Sequence, residues 1–184
     1  MVNTTFTSTF LKAVNLILEW EGSEFTNDPD DSGGATKWGV TTGDINPVTK
    51  VKFTYKEIVN LSKETAEQVY YNQYWLPVGA NTMPSNVATV VFNFAVNTGN
   101  NHAVRYLQSI TGSYQDGQWG PKTAYDLRGY LEIHGATAFC TKYLDMCLDY
   151  YKAIVNNNPS QGKFLQGWLN RTYAVGDAVG IHLD

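Results

Sequence analysis

The chain has 184 residues, 43% of them hydrophobic and 16% charged, which is enough for one sizeable core and short for two independent domains. That composition belongs to a folded globular protein and excludes a disordered one. A net charge of −4 and a pI near 5.3 offer nothing to a phosphate backbone or an anionic membrane surface, so nucleic acid and membrane insertion are not expected of it.

The first residues, Met1 to Thr9, lack a basic stretch, and no apolar run is long enough for a signal peptide or a membrane span. The expectation is a chain that stays in the cytoplasm unless something else releases it. Phe10, Val14, Ile17, Leu18 and Glu21 then fall at i, i+4, i+7, i+8 and i+11, one face of a helix capped by Ser8 or Thr9 and ended by Gly22 and Ser23. Glu21 thus lies on or beside the apolar face, while Glu19 points elsewhere. A carboxyl at the edge of an apolar surface has its charged form disfavoured, the environment a general acid requires.

A loop dense in Asp, Gly and Pro follows, and Lys37 to Thr42 alternates like one arm of a small hairpin. Thr54 and Glu57 form a capping box for a short helix. Another helix starts after Ser62 and runs to about Trp75, stopped by Pro77. Ser85 opens a strongly apolar helix over Val87 to Asn97, the expected central helix of a larger lobe. The next spans about Asn101 to Thr111, stopped by Gly112. Asp116-Gly117 marks a turn, and Gly120-Pro121 places Pro in the first turn of a helix. Gly135 separates that helix from a long one over Ala136 to Asn156, and Phe164 to Tyr173 form the last. Cys140 and Cys147, seven apart on a helix, are roughly 10 Å from each other, too far for a disulfide. Among apolar neighbours they read as structural thiols.

Three residues could do chemistry together. Glu21, Asp30 and Thr36 are spaced Glu-x8-Asp-x5-Thr. Glycoside hydrolysis usually needs one carboxylic acid to protonate the leaving oxygen and a second group to manage water or the cationic transition state. The same loop is also what a plain turn looks like. Asp28, Asp30, Ser32 and Gly33 occupy positions of a calcium loop, but its twelfth position would be Gly39, not Glu. His102, His134 and His182 are far apart and show no metal-ligand spacing, so a zinc amidase is not expected, and no cofactor is implied. Aromatic residues make up 14% of the chain; most should be core, yet Trp38, Tyr74 and Trp75 are candidates for stacking on sugar rings.

The run from Glu21 to Thr41, EGSEFTNDPDDSGGATKWGVT, closely resembles the opening motif of glycoside hydrolase family 108, lysozyme-like N-acetylmuramidases found among phage endolysins. The Glu-x8-Asp-x5-Thr spacing is similar to the catalytic pattern of T-even phage lysozymes. Tyr71 to Trp75 (YNQYW) resembles the family's aromatic helix end. Phe92 to Gly99 (FNFAVNTG), Leu107-Gln108, Asp116 to Thr123 (DGQWGPKT) and Phe164 to Arg171 (FLQGWLNR) look like the peptidoglycan-binding segment that follows. Ser23 replaces a usual Gly, Ser32 a usual Pro, and Asn93 stands where an Asp is often found.

The resemblance implies a mainly α, lysozyme-like fold, with a small N-terminal lobe carrying a short β element, a larger helical lobe, and a cleft between them. It divides the chain into a muramidase segment over 1–85 and a helical peptidoglycan-binding segment over 86–184, packed as one unit. It implies Glu21, Asp30 and Thr36 as catalytic residues, with Trp38, Tyr74, Trp75 and Asn97 binding substrate. The expected partner is the glycan strand of bacterial peptidoglycan, met by a monomer, with a holin as the route out of a host cytoplasm. A lytic transglycosylase and a non-catalytic wall-binding protein are the rival functions.

Overall fold

The computed structural model describes residues 6–22, 24–26 and 35–183. The fold is mainly α with one small hairpin, and the chain divides into two compact units, residues 1–75 and 76–184.

The first unit is organised by helix α1 (Ser8–Glu21), hairpin strands β1 (Thr36–Lys37) and β2 (Val40–Thr41), and helices α2 (Tyr55–Val59) and α3 (Lys63–Tyr70). The cap of α1 is Thr7, whose hydroxyl accepts from the Phe10 N–H at 3.2 Å. The expected caps, Ser8 and Thr9, are already helical, a one-residue shift typical of helix starts. Phe10, Ala13, Val14, Ile17 and Leu18 are buried along one stripe. Gly22, with φ at +76°, ends the helix and donates its N–H to the Leu18 carbonyl at 3.0 Å.

Thr54 and Glu57 form the capping box at the start of α2. Beyond α3 the helix widens to π-type hydrogen bonding over Tyr71–Trp75. That wider turn faces its aromatic side chains two ways. Tyr71 and Trp75 pack on Phe10, with ring centroids 5.0 and 5.3 Å away, tying this segment to α1. Tyr70 and Tyr74 pair with each other at 6.0 Å. Such π-type turns recur at functional sites.

The second unit is helical, built from α4 (Ser85–Thr98), α5 (Asn100–Thr111), α6 (Pro121–Asn157) and α7 (Gly162–Ala178). Every residue of α4 from Val87 to Ala95 is buried, the apolar ones as expected and the polar Thr89 and Asn93 with them. Among them Asn93 is an oddity: its Nδ2 is buried and has no hydrogen-bond partner among the described residues. The break between the two expected helices falls at Gly135, whose φ of +81° interrupts α6. Cys140 and Cys147 are buried free thiols. Burial pushes Cys140 up to about 12 and Cys147 well above its ordinary value, so neither is a ready nucleophile.

The Asp116 to Thr123 motif is held by one buried side chain. Gln108, 1% exposed, donates to Asp116 Oδ1 at 2.8 Å and Thr123 Oγ1 at 3.1 Å, and accepts from the Gly117 N–H at 2.9 Å. Arg105 reaches the Gln115 carbonyl at 2.6 Å. Gln108, Asp116 and Thr123 therefore spend their polar atoms on shaping the turn that leads into α6.

Candidate active site at the end of the first helix

Glu21 is the last residue of α1 and is exposed. Its side chain meets the hairpin turn. A Cβ placed on Gly39 would overlap the Tyr70 hydroxyl and stand 2.9 Å from Glu21 Cγ and 3.2 Å from Cδ. Helix end, turn and phenol thus converge where only a glycine hydrogen fits. The expected setting was an aliphatic edge. The neighbours are instead the Gly39 backbone and Tyr70, because Ile17 and Leu18 turn into the core one helical turn earlier.

The turn itself is unusual. Thr36 pairs with Thr41 and Lys37 with Val40, leaving Trp38 and Gly39 as its two central residues. Their φ angles are +55° and +70°, the double left-handed signature of a tight two-residue hairpin. Gly39 adopts this freely, whereas a bulky residue such as Trp38 is strained there. Tyr70, 3% exposed, anchors the strained peptide by donating its hydroxyl to the Trp38 carbonyl at 3.0 Å.

Thr36 is half-buried and sits at the base of the acidic loop. It exchanges backbone hydrogen bonds with Thr26 at 2.9 and 2.8 Å, so the two ends of that loop are tied together. Asp30, and the calcium-loop positions Asp28, Ser32 and Gly33, lie outside the described residues.

The nearby carboxylate of Asp44 is spent on structure. Its Oδ2 accepts from the Thr41 N–H at 2.8 Å and the Thr41 hydroxyl at 3.1 Å. With its amide nitrogen turned that way, Gln73 donates to Asp44 Oδ1 at 3.0 Å. Tyr74 is half-buried. Burial, then the negative charges of Asp44 and Glu21, push its phenol above its ordinary value, so it stays a protonated donor beside the Glu21 carboxyl.

Trp38 also forms one wall of a depression of about 470 Å³, shared with Asn15, Glu19 and Lys63. There the Lys63 ammonium donates to Asn15 Oδ1 at 2.8 Å. A half-exposed indole beside polar groups is what a sugar ring stacks on. Trp75 has a different role from the expected one. At 1% exposure, edge-on to Phe10, it is a core residue and offers no face to a ligand. Asn97 lies in the second unit, exposed near the end of α4, where its side chain hydrogen-bonds Tyr151.

Sequence reasoning missed Gly39 and Tyr70. The signal for Gly39 was partial, since Gly suits the second central position of a two-residue hairpin but Trp38 stands where Asn, Asp or Gly is usual. Tyr70 had no local signal, because its partner is distant in sequence.

This arrangement of an acidic helix end, a small hairpin and a helical remainder is lysozyme-like. The comparisons narrow it. The glycosyl hydrolase 108 family model matches residues 14–99, and a predicted peptidoglycan domain model matches residues 102–173. Together the two matches span most of the chain, the glycosyl hydrolase stretch first and the peptidoglycan stretch after it. A solved structure described as Structure of Brucella abortus SagA is 28% identical, with a TM-score of 0.74, covering 96% of this chain and 97% of that one. No curated protein matches the chain. Among the described residues, no helix is long and apolar enough to cross a membrane.

Proposed function

We propose that the protein is an endolysin-type N-acetylmuramidase, hydrolysing the β-1,4 bond between N-acetylmuramic acid and N-acetylglucosamine in bacterial peptidoglycan. The observation that carries this is Glu21 at the tip of α1, packed against Gly39 beside Tyr70, in a segment matching a glycosyl hydrolase family. A second match, to a peptidoglycan domain, supports the choice of polymer.

In the proposed reaction Glu21, protonated, gives its proton to the leaving glycosidic oxygen. Asp30, ionised, steadies the oxocarbenium-like transition state or activates water, and Thr36 helps hold that water. Trp38 and Tyr74 flank the sugar. The phenol of Tyr74, protonated at neutral pH, can donate to the substrate or to Glu21 once the latter has become a carboxylate. The enzyme works as a monomer on the wall after release from the cytoplasm by a holin.

Mass spectrometry of the fragments from purified peptidoglycan tests the reaction type. Reducing N-acetylmuramic acid ends are expected. Ends carrying 1,6-anhydro-muramic acid would make the protein a lytic transglycosylase, and the absence of new ends would make it a wall-binding protein without activity.

A further inference from the structure

The second unit holds a recess of about 780 Å³, within the size range of small-ligand sites. Its walls include Pro84, Trp119, Pro121 and Leu131, with Arg128 and Glu132 supplying charge. Trp119 is half-buried and seated on Gly79, where a Cβ would overlap the indole. Gly79 has φ at +75°, so both its backbone angle and its closeness to the ring fit glycine alone. The hydrogen-bonded turn around Gln108 leads directly into Trp119, fixing where the ring stands.

Arg128 and Glu132 are one turn apart on α6, and both are exposed. Among the described residues neither has a hydrogen-bond or ion-pair partner. The recess thus offers an apolar floor, one aromatic platform, one free guanidinium and one free carboxylate.

We propose that this recess is a second peptidoglycan site that recognises the muropeptide, the N-acetylmuramyl unit with its peptide stem, rather than bare glycan. It rests on the peptidoglycan reading above, and most of its lining falls within the matched peptidoglycan domain. The stem supplies both charges that the recess complements. Its free carboxylates suit the planar fork of Arg128, and its amine suits Glu132. Lactyl and alanine methyl groups would lie on Pro84, Pro121 and Leu131, and the acetamido sugar face on Trp119. A sugar polymer without a peptide would leave Arg128 and Glu132 unused.

The test uses the full chain carrying Glu21→Gln, titrated with N-acetylglucosaminyl-N-acetylmuramyl tetrapeptide and with a chito-oligosaccharide of equal sugar count. Binding is read by calorimetry and by the NMR signal of the Trp119 indole N–H. The muropeptide should move that signal. Arg128→Glu, a surface change that leaves folding intact, should weaken binding roughly tenfold, about 1.4 kcal/mol. Trp119→Phe should weaken it too, and the chito-oligosaccharide should bind at least about tenfold less well. Muropeptide binding that leaves the Trp119 signal in place and ignores Arg128→Glu would overturn the proposal, as would equal binding of the peptide-free sugar. Neither readout depends on hydrolysis, so failure here stands apart from failure of the muramidase reading.

Discussion

Trp38 and Gly39 hold neighbouring left-handed backbone angles, yet only one of them suits its place. Gly39 is required twice, by its φ of +70° and by the Glu21 and Tyr70 atoms beside its missing side chain. Gly39→Ala should therefore cost about 1–3 kcal/mol of stability from backbone strain. It should also displace Glu21, and a misplacement near 1 Å lowers turnover by about 10²-fold. Urea unfolding and initial rates on peptidoglycan check both halves. A variant with normal rates would detach Gly39 from the placement of Glu21. Trp38, in contrast, tolerates its strain because Tyr70 holds its carbonyl. Strain concentrated in a residue that also lines a depression is a recurring mark of functional positions.

Among the elements, those fixed by local periodicity were legible in the sequence. The stripe on α1, the capping box at Thr54, the all-round apolar α4 and the Gly135 break each follow from residues within a few positions of one another. What could not be read depends on distant partners. The burial of Trp75 comes from Phe10, and the grip on the hairpin comes from Tyr70. Spacing placed Glu21 at the helix tip, but could not say that its side chain would meet a turn rather than an aliphatic wall.

The turn before α6 shows the same limit. Its Asp-Gly and Gly-Pro signals predicted a turn and a helix start, whereas the central role of Gln108 rests on partners as far as Gly117 and Thr123 along the chain. Gln108→Leu should destabilise the second unit by about 3 kcal/mol, since the buried Gly117 N–H and Thr123 hydroxyl both lose their Gln108 partner at once. The effect should depend on pH. Hydrogen bonding, first from Gln108, holds the Asp116 carboxyl below its ordinary value. A carboxyl with a lower folded than unfolded pKa stabilises above about pH 4 and loses that contribution as pH falls through the folded value. The melting-temperature gap between wild type and Gln108→Leu should thus narrow in acid. A constant gap down to strongly acidic pH would remove Asp116 from the account.

At the scale of the whole chain, the family boundary and the structural division do not coincide. The glycosyl hydrolase match runs to residue 99 and so includes α4, while α4 packs as the core of the second unit together with α5 and α6. A single buried helix thus falls in the stretch matched by the glycosyl hydrolase model and packs in the helical unit. The claim at the centre of the proposed function is that one carboxyl, on Glu21, delivers the proton that breaks the glycan. Initial rates of solubilisation of purified peptidoglycan by wild type and Glu21→Gln, at matched and verified folding, test it most directly. The account predicts an intact fold and a rate lower by roughly 10²–10⁴-fold, the usual worth of a general acid. A Glu21→Gln protein that lyses peptidoglycan at close to the wild-type rate would contradict it.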